Sequence, residues 1–115
     1  MTAPADVLRE QRLSAERRLA QLDADIAALR LDRSSDSADD EHDPEGTPLS
    51  GEWSRLVGLR AAAADELADI DAARDRLAAG TYGVCENCGR AIPAARLEVR
   101  PTAARCVECA AKVNR

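Results

Sequence analysis

A chain of 115 residues with a formal net charge of −5 has room for one ordinary domain and buries only a modest share of its surface. One Trp, one Tyr and no Phe exclude an aromatic-rich core, so the 45% hydrophobic fraction rests on Ala and Leu, which suit narrow seams between helices. Charges recur every few positions from Asp6 to Arg30, a pattern that excludes both a signal peptide and a membrane span and makes the cytoplasm the expected compartment.

The first element is a long helix. Ala15, Leu19, Leu22, Ile26 and Leu29 are spaced four, three, four and three, which puts them on one stripe at heptad period. Carried backwards, the register reaches Leu8, with Arg12 the one polar member. Thr2 can cap this helix and Pro4 is tolerated in a first turn, so the expected span is about residues 4–33.

Next comes an acidic segment. Residues 34–49 hold Asp36, Asp39, Asp40, Glu41, Asp43 and Glu45 with no Lys or Arg. Residues 34–47 have no aliphatic side chain larger than Ala, so the segment cannot bury itself and is expected at an exposed tip. A tip of this charge suits contact with a basic surface, and it equally suits a solvated turn.

The second helix follows. Trp53, Leu56, Ala63, Leu67, Ile70 and Leu77 form a heptad stripe whose other members, Arg60 and Arg74, have to reach out of the seam. Thr47 and Pro48 fit an N-cap and first turn, and Gly80 fits a left-handed C-cap, which bounds the helix near 48–79. Two helices of about thirty residues, each about 45 Å long, pair side by side in antiparallel fashion when one short linker joins them. The heptads leave open pairing across a homodimer, but a monomeric hairpin is expected. The fold class is therefore all-α, with an antiparallel hairpin over residues 1–79 and an acidic tip at about 34–47.

Residues 80–115 form the second expected domain. Cys85-Glu86-Asn87-Cys88 and Cys106-Val107-Glu108-Cys109 are two CxxC pairs separated by seventeen residues, a spacing that lets two turns present four sulfurs to one tetrahedral ion. Four soft thiolates favour a single structural Zn²⁺ and leave no position for an activated water. The rival readings are an iron–sulfur site, a redox dithiol pair or two disulfides. Metal is needed because Tyr82, Val84, Ile92, Leu97, Val99 and Val107 are too few to offset the entropy of ordering the segment. Gly83 and Gly89 flank the first pair, where tight turns need backbone freedom, and Tyr82 and Ile92 are expected to pack the finger against the base of the hairpin. The run Val107 to Lys112 reads as a short closing helix. No phosphate-binding loop is present, and His42 is the only histidine, so neither catalytic nor cofactor-binding residues are assigned and an enzyme is not expected.

Gly80-Thr81-Tyr82-Gly83-Val84-Cys85-Glu86-Asn87-Cys88, followed by Ile92, Arg96, Pro101, Cys106 and Cys109, resembles the zinc-finger signature of the DksA/TraR family of transcription regulators. The stretch Asp39 to Gly46 is similar to the tips of the shorter Gram-positive, actinobacterial-like members. It departs from the Asp-x-x-Asp-x-Ala tip of other members, because the frames beginning at Asp36 and Asp40 each end in Glu where Ala is expected. The resemblance implies a hairpin that enters the secondary channel of RNA polymerase, with Asp39, Asp40, Glu41 and Asp43 near the active site and the zinc at the base. It implies regulation without reading of DNA sequence, in some members together with the alarmone ppGpp. The alternative is a zinc-ribbon-like adaptor for nucleic acid or protein that uses Arg90, Arg96, Arg100 and Arg105 as a contact face; six basic and three acidic side chains in residues 80–115 are too small an excess to favour it by charge alone.

Overall fold

The computed structural model describes residues 3–39 and 46–113, with side chains over 3–32 and 51–112. In chain order they form α1 (Pro4–Asp39), α2 (Gly46–Ala79), α3 (Ala94–Val99) and α4 (Val107–Val113). Among the described residues there is no strand, only an isolated antiparallel bridge between Val84 and Ala91, and no helix is long and apolar enough to cross a membrane. Two long helices form a hairpin and a four-cysteine finger follows, as the heptads and the CxxC pairs predict.

The molecule divides into two compact units, Ser14–Glu66 and Met1–Leu13 with Leu67–Arg115, and α1 and α2 contribute to both. In the first of these, Leu22, Ile26, Leu56 and Ala63 are buried, with Leu19, Leu29 and Trp53 packed against them. These are the members of the two predicted stripes. Arg60, a seam position by sequence, turns its guanidinium outward to the Asp23 carboxylate of the opposing helix, while Arg18 meets Glu66 at 2.6 Å. Residue numbers rising on one helix against falling numbers on the other fix the antiparallel sense. The guanidinium of Arg30 stands 5.2 Å from the centre of the Trp53 ring, a cation–π contact.

In the other unit Leu8, Ile70 and Ala73 are fully enclosed. The buried position after Ile70 is Ala73, not Arg74, so the seam departs from the strict heptad by one residue. The reason is steric and electrostatic: a methyl group fits the interface, whereas the Arg74 side chain lies outside it, 3.9 Å from Asp71. Arg12, the polar member of the α1 stripe, donates from Nε to Asp71 at 2.7 Å.

The helix limits also differ from expectation. Pro4 opens α1 as predicted, but Ala3 is the residue whose carbonyl accepts the Asp6 and Val7 amides, at 3.0 and 3.1 Å; Thr2 lies outside the described residues. α1 continues six residues past 33, through the Ser- and Asp-rich run, and α2 begins at Gly46, before the Thr47-Pro48 pair. Intrinsic propensity is a weak guide at such ends. The end of α2 matches expectation in detail: Gly80 has φ +80°, its amide donates to Leu77 O at 3.2 Å, and the Thr81 amide donates to Arg76 O at 2.8 Å. That double hydrogen bond satisfies carbonyls that the last helical turn leaves open.

Candidate metal centre

Two local folds bring the cysteines together. The first is a knuckle. The Ile92 amide donates to Gly83 O at 2.7 Å and the Cys85 amide to Arg90 O at 2.8 Å, pairing the chain on either side of Cys85–Cys88. Gly83 and Gly89 make this turn possible with φ of +82° and +77°, a region that costs side-chain-bearing residues about 1–2 kcal/mol. The second is the start of α4, where Cys106 O accepts the Ala110 amide at 2.9 Å and Cys109 lies one turn along. The Glu86 amide donates to Ala104 O at 2.9 Å and links the two folds.

The four sulfurs of Cys85, Cys88, Cys106 and Cys109 lie within 4.8 Å of one another. Cys88 and Cys106 stand 3.9 Å apart, and none of the four is in a disulfide. Sulfurs about 2.3 Å from a tetrahedral zinc stand about 3.8 Å from each other, whereas a disulfide needs about 2.05 Å. The spacing is that of ligands around a common ion. Cys85 and Cys109 are buried, Cys106 is half-buried and Cys88 is exposed.

The electrostatics also fit a cation. Amide N–H groups of Cys88 and Cys106 aim at the Cys85 sulfur and hold its thiol down to about 6. At Cys109 the side-chain amide of Asn87, donating at 3.3 Å, favours the thiolate, but the neighbouring Cys106 thiol, burial, and the Cys85 and Cys88 sulfurs outweigh it and push the thiol up to about 11. Four sulfurs this close cannot all be anionic on their own, and a divalent ion removes the conflict by replacing the retained protons.

Ile92 and Leu97 supply the apolar support. Ile92 is buried in one cluster with Cys85 and Cys109, against which Leu97 and Cys106 pack. Thus Ile92 helps to fill the interior of the finger itself. Tyr82 is half-buried and donates its hydroxyl to Pro101 O at 2.7 Å, and burial raises its pKa. Arg76 donates to Thr102 O at 3.2 Å, anchoring the loop after α3 to the end of α2.

Of the four arginines in the predicted contact face, two are engaged inside the finger. Arg96 donates from Nε to Arg105 O at 2.9 Å, and Arg105 pairs with Glu86 at 2.8 Å. Sequence reasoning placed Arg96 and Arg105 in a contact face and missed the Arg105–Glu86 pair, as well as α3 and the Asn87 contact to sulfur. The Pro93-Ala94-Ala95 start and the Leu97 that follows are the signal that could have revealed α3, since Pro favours a helix start. As for the predicted tip residues, Asp39 closes α1 with its side chain outside the described residues, and Asp40, Glu41 and Asp43 lie outside them altogether.

Residues 80–115 match the sequence family described as the prokaryotic dksA/traR C4-type zinc finger. Over 49 residues, 43% of this chain, the sequence is 45% identical to an uncharacterized protein of Aquifex aeolicus (strain VF5), and the match spans 34% of that protein. The whole fold is similar to the structure of transcription factor DksA2 from Pseudomonas aeruginosa, with a TM-score of 0.77 and 26% identity over 95% of this chain and 78% of that one. The finger carries one structural zinc, which supplies folding energy to a segment short of apolar side chains. Residues 80–115 thus carry a finger of the dksA/traR C4 type, and it follows a helical hairpin whose fold is similar to that of a DksA transcription factor.

Proposed function

We propose that the protein regulates transcription by binding RNA polymerase, residues 1–79 acting as the inserted hairpin and residues 80–115 as its zinc-bearing base. The observation that supports this most is the likeness of nearly the whole chain to a transcription factor, joined to the four carboxylates between the two long helices, Asp40, Glu41, Asp43 and Glu45, which follow Asp36 and Asp39 at the end of α1. Cys85, Cys88, Cys106 and Cys109 ligate the zinc as thiolates and close its coordination shell, so the metal organises the base and does no turnover. Asp39, Asp40, Glu41 and Asp43 are carried through the secondary channel toward the catalytic Mg²⁺ or the basic groups around it, where carboxylates change the local field. The protein acts as a cytoplasmic monomer and reads no DNA sequence. A basic contact face on the finger is the less favoured reading, because Arg96 and Arg105 are already paired within it.

The test is a pull-down of core polymerase together with in vitro transcription, comparing the intact protein with a variant carrying Asp39→Asn, Asp40→Asn, Glu41→Gln and Asp43→Asn. Retained fold, retained polymerase binding and a lost effect on initiation are expected. Unchanged regulation by the neutralised protein rules the reading out, and binding to bare DNA at near-physiological salt in place of polymerase favours the adaptor.

A further inference from the structure

The apolar seam of the unit Ser14–Glu66 does not by itself define how far one helix is slid along the other. Its members recur at heptad period in α1 and α2, with small Ala63 among larger side chains, so a slide of one heptad again lays apolar positions against apolar positions. The cross-helix pairs beside the seam are not degenerate in this way. Asp23 faces Arg60 and Arg30 faces Trp53, one heptad apart on both helices, and Arg18 faces Glu66 on the other flank.

Sliding α2 by one heptad in one direction puts Arg30 opposite Arg60 and Asp25 opposite Glu66, two like-charge encounters. Sliding it the other way puts the Asp23 carboxylate against the Trp53 ring, whose face is negative. Either slide therefore loses attractive pairs and gains repulsive ones, which is how charges flanking a coiled-coil seam fix its alignment.

We propose that Arg30 and Trp53, together with Arg60 and Asp23, are positioning residues that set the axial register of the hairpin and thereby the placement of the acidic segment the two helices carry. The inference rests on the proposed polymerase function only for its consequence; the register itself is independent of it. Among the residues whose side chains are described, Arg30 and Trp53 form the cross-helix pair nearest the acidic segment. Asp23 and Arg60 repeat the same alignment seven residues further in. The chain's only Trp suits this position because its ring accepts the guanidinium while the side chain also packs against the seam cluster.

The experiment uses the full zinc-loaded chain and four variants: Arg30→Gln and Trp53→Leu, which abolish the cation–π contact, and Arg30→Lys and Trp53→Phe, which keep a cation over a ring. Helix content by circular dichroism identifies any variant that fails to fold. Glutamyl endopeptidase cleavage after Glu41 and Glu45, followed by mass spectrometry, reads the segment's placement. Expected is a rise of about two- to fivefold in cleavage rate for the first two variants, the range an exposed cation–π pair supplies, with wild-type rates for the other two. In transcription assays the first pair lowers the maximal effect while the half-effective concentration stays unchanged. Wild-type cleavage in Arg30→Gln and Trp53→Leu overturns the proposal, as does equal damage from the conservative variants, which assigns the effect to packing alone. Should the intact protein leave polymerase unaffected, the functional reading falls, and the cleavage comparison still decides the register claim.

Discussion

Ile70→Ala tests the packing of the long helices most simply. Ile70 is fully enclosed, and with Leu8 and Cys85 it is among the largest side chains that are. The substitution removes three carbons, worth about 0.8 kcal/mol each in transfer, or about 2.4 kcal/mol. Incomplete closure of the cavity adds to this, for a total loss of about 3–4 kcal/mol. A small domain has about 5–15 kcal/mol in all, so the midpoint of urea unfolding, followed by circular dichroism with zinc present, should fall by a large fraction. Leu59→Ala is the control. That side chain is 44% exposed, and its truncation should cost under about 1 kcal/mol. A loss below about 1 kcal/mol for Ile70→Ala, or equal losses for the two variants, refutes the enclosure of Ile70 in the seam.

Further outcomes follow from the same geometry. Gly80→Ala places a side chain at φ +80° and should destabilise the protein by about 1 kcal/mol, read as a lowered melting temperature; an unchanged or raised melting temperature contradicts the capping role. Asn87→Ala removes the donor to the Cys109 sulfur and should weaken zinc retention on the order of 10–100-fold against a chromophoric chelator, with no change in helix content. A double-mutant cycle of Arg12→Ala and Asp71→Ala should give a coupling of about 0.5 kcal/mol that shrinks at high salt, since both side chains are partly exposed; a coupling insensitive to salt argues against an ion pair.

Much of this was legible in the sequence because helices and metal knuckles signal through spacing. Ala15, Leu22, Ile26, Leu56, Ala63 and Ile70 are buried where the heptads put them, and the CxxC pairs converge as their seventeen-residue separation implies. Ala73 was not legible, because apolar periodicity cannot distinguish a methyl group that enters an interface from an adjacent arginine that leaves it. The extension of α1 to Asp39 was hidden for a different reason: Ser and Asp compete for backbone hydrogen bonds and read as turn formers, although a long helix can carry them. Contacts such as Tyr82 to Pro101 and Arg105 to Glu86 depend on where loops return, about which local sequence says little. Asn87 lies between two ligands and invites the reading of a mere spacer, yet its amide reaches the sulfur of the other CxxC pair.

The most direct measurement is zinc K-edge X-ray absorption on the purified, reduced protein, combined with elemental analysis and circular dichroism before and after chelation. One zinc per chain with four sulfur neighbours at about 2.3 Å, and loss of structure in the finger when the metal is withdrawn, is the predicted result. A shell of mixed or fewer sulfur ligands, or a finger that keeps its structure without any metal, contradicts the account.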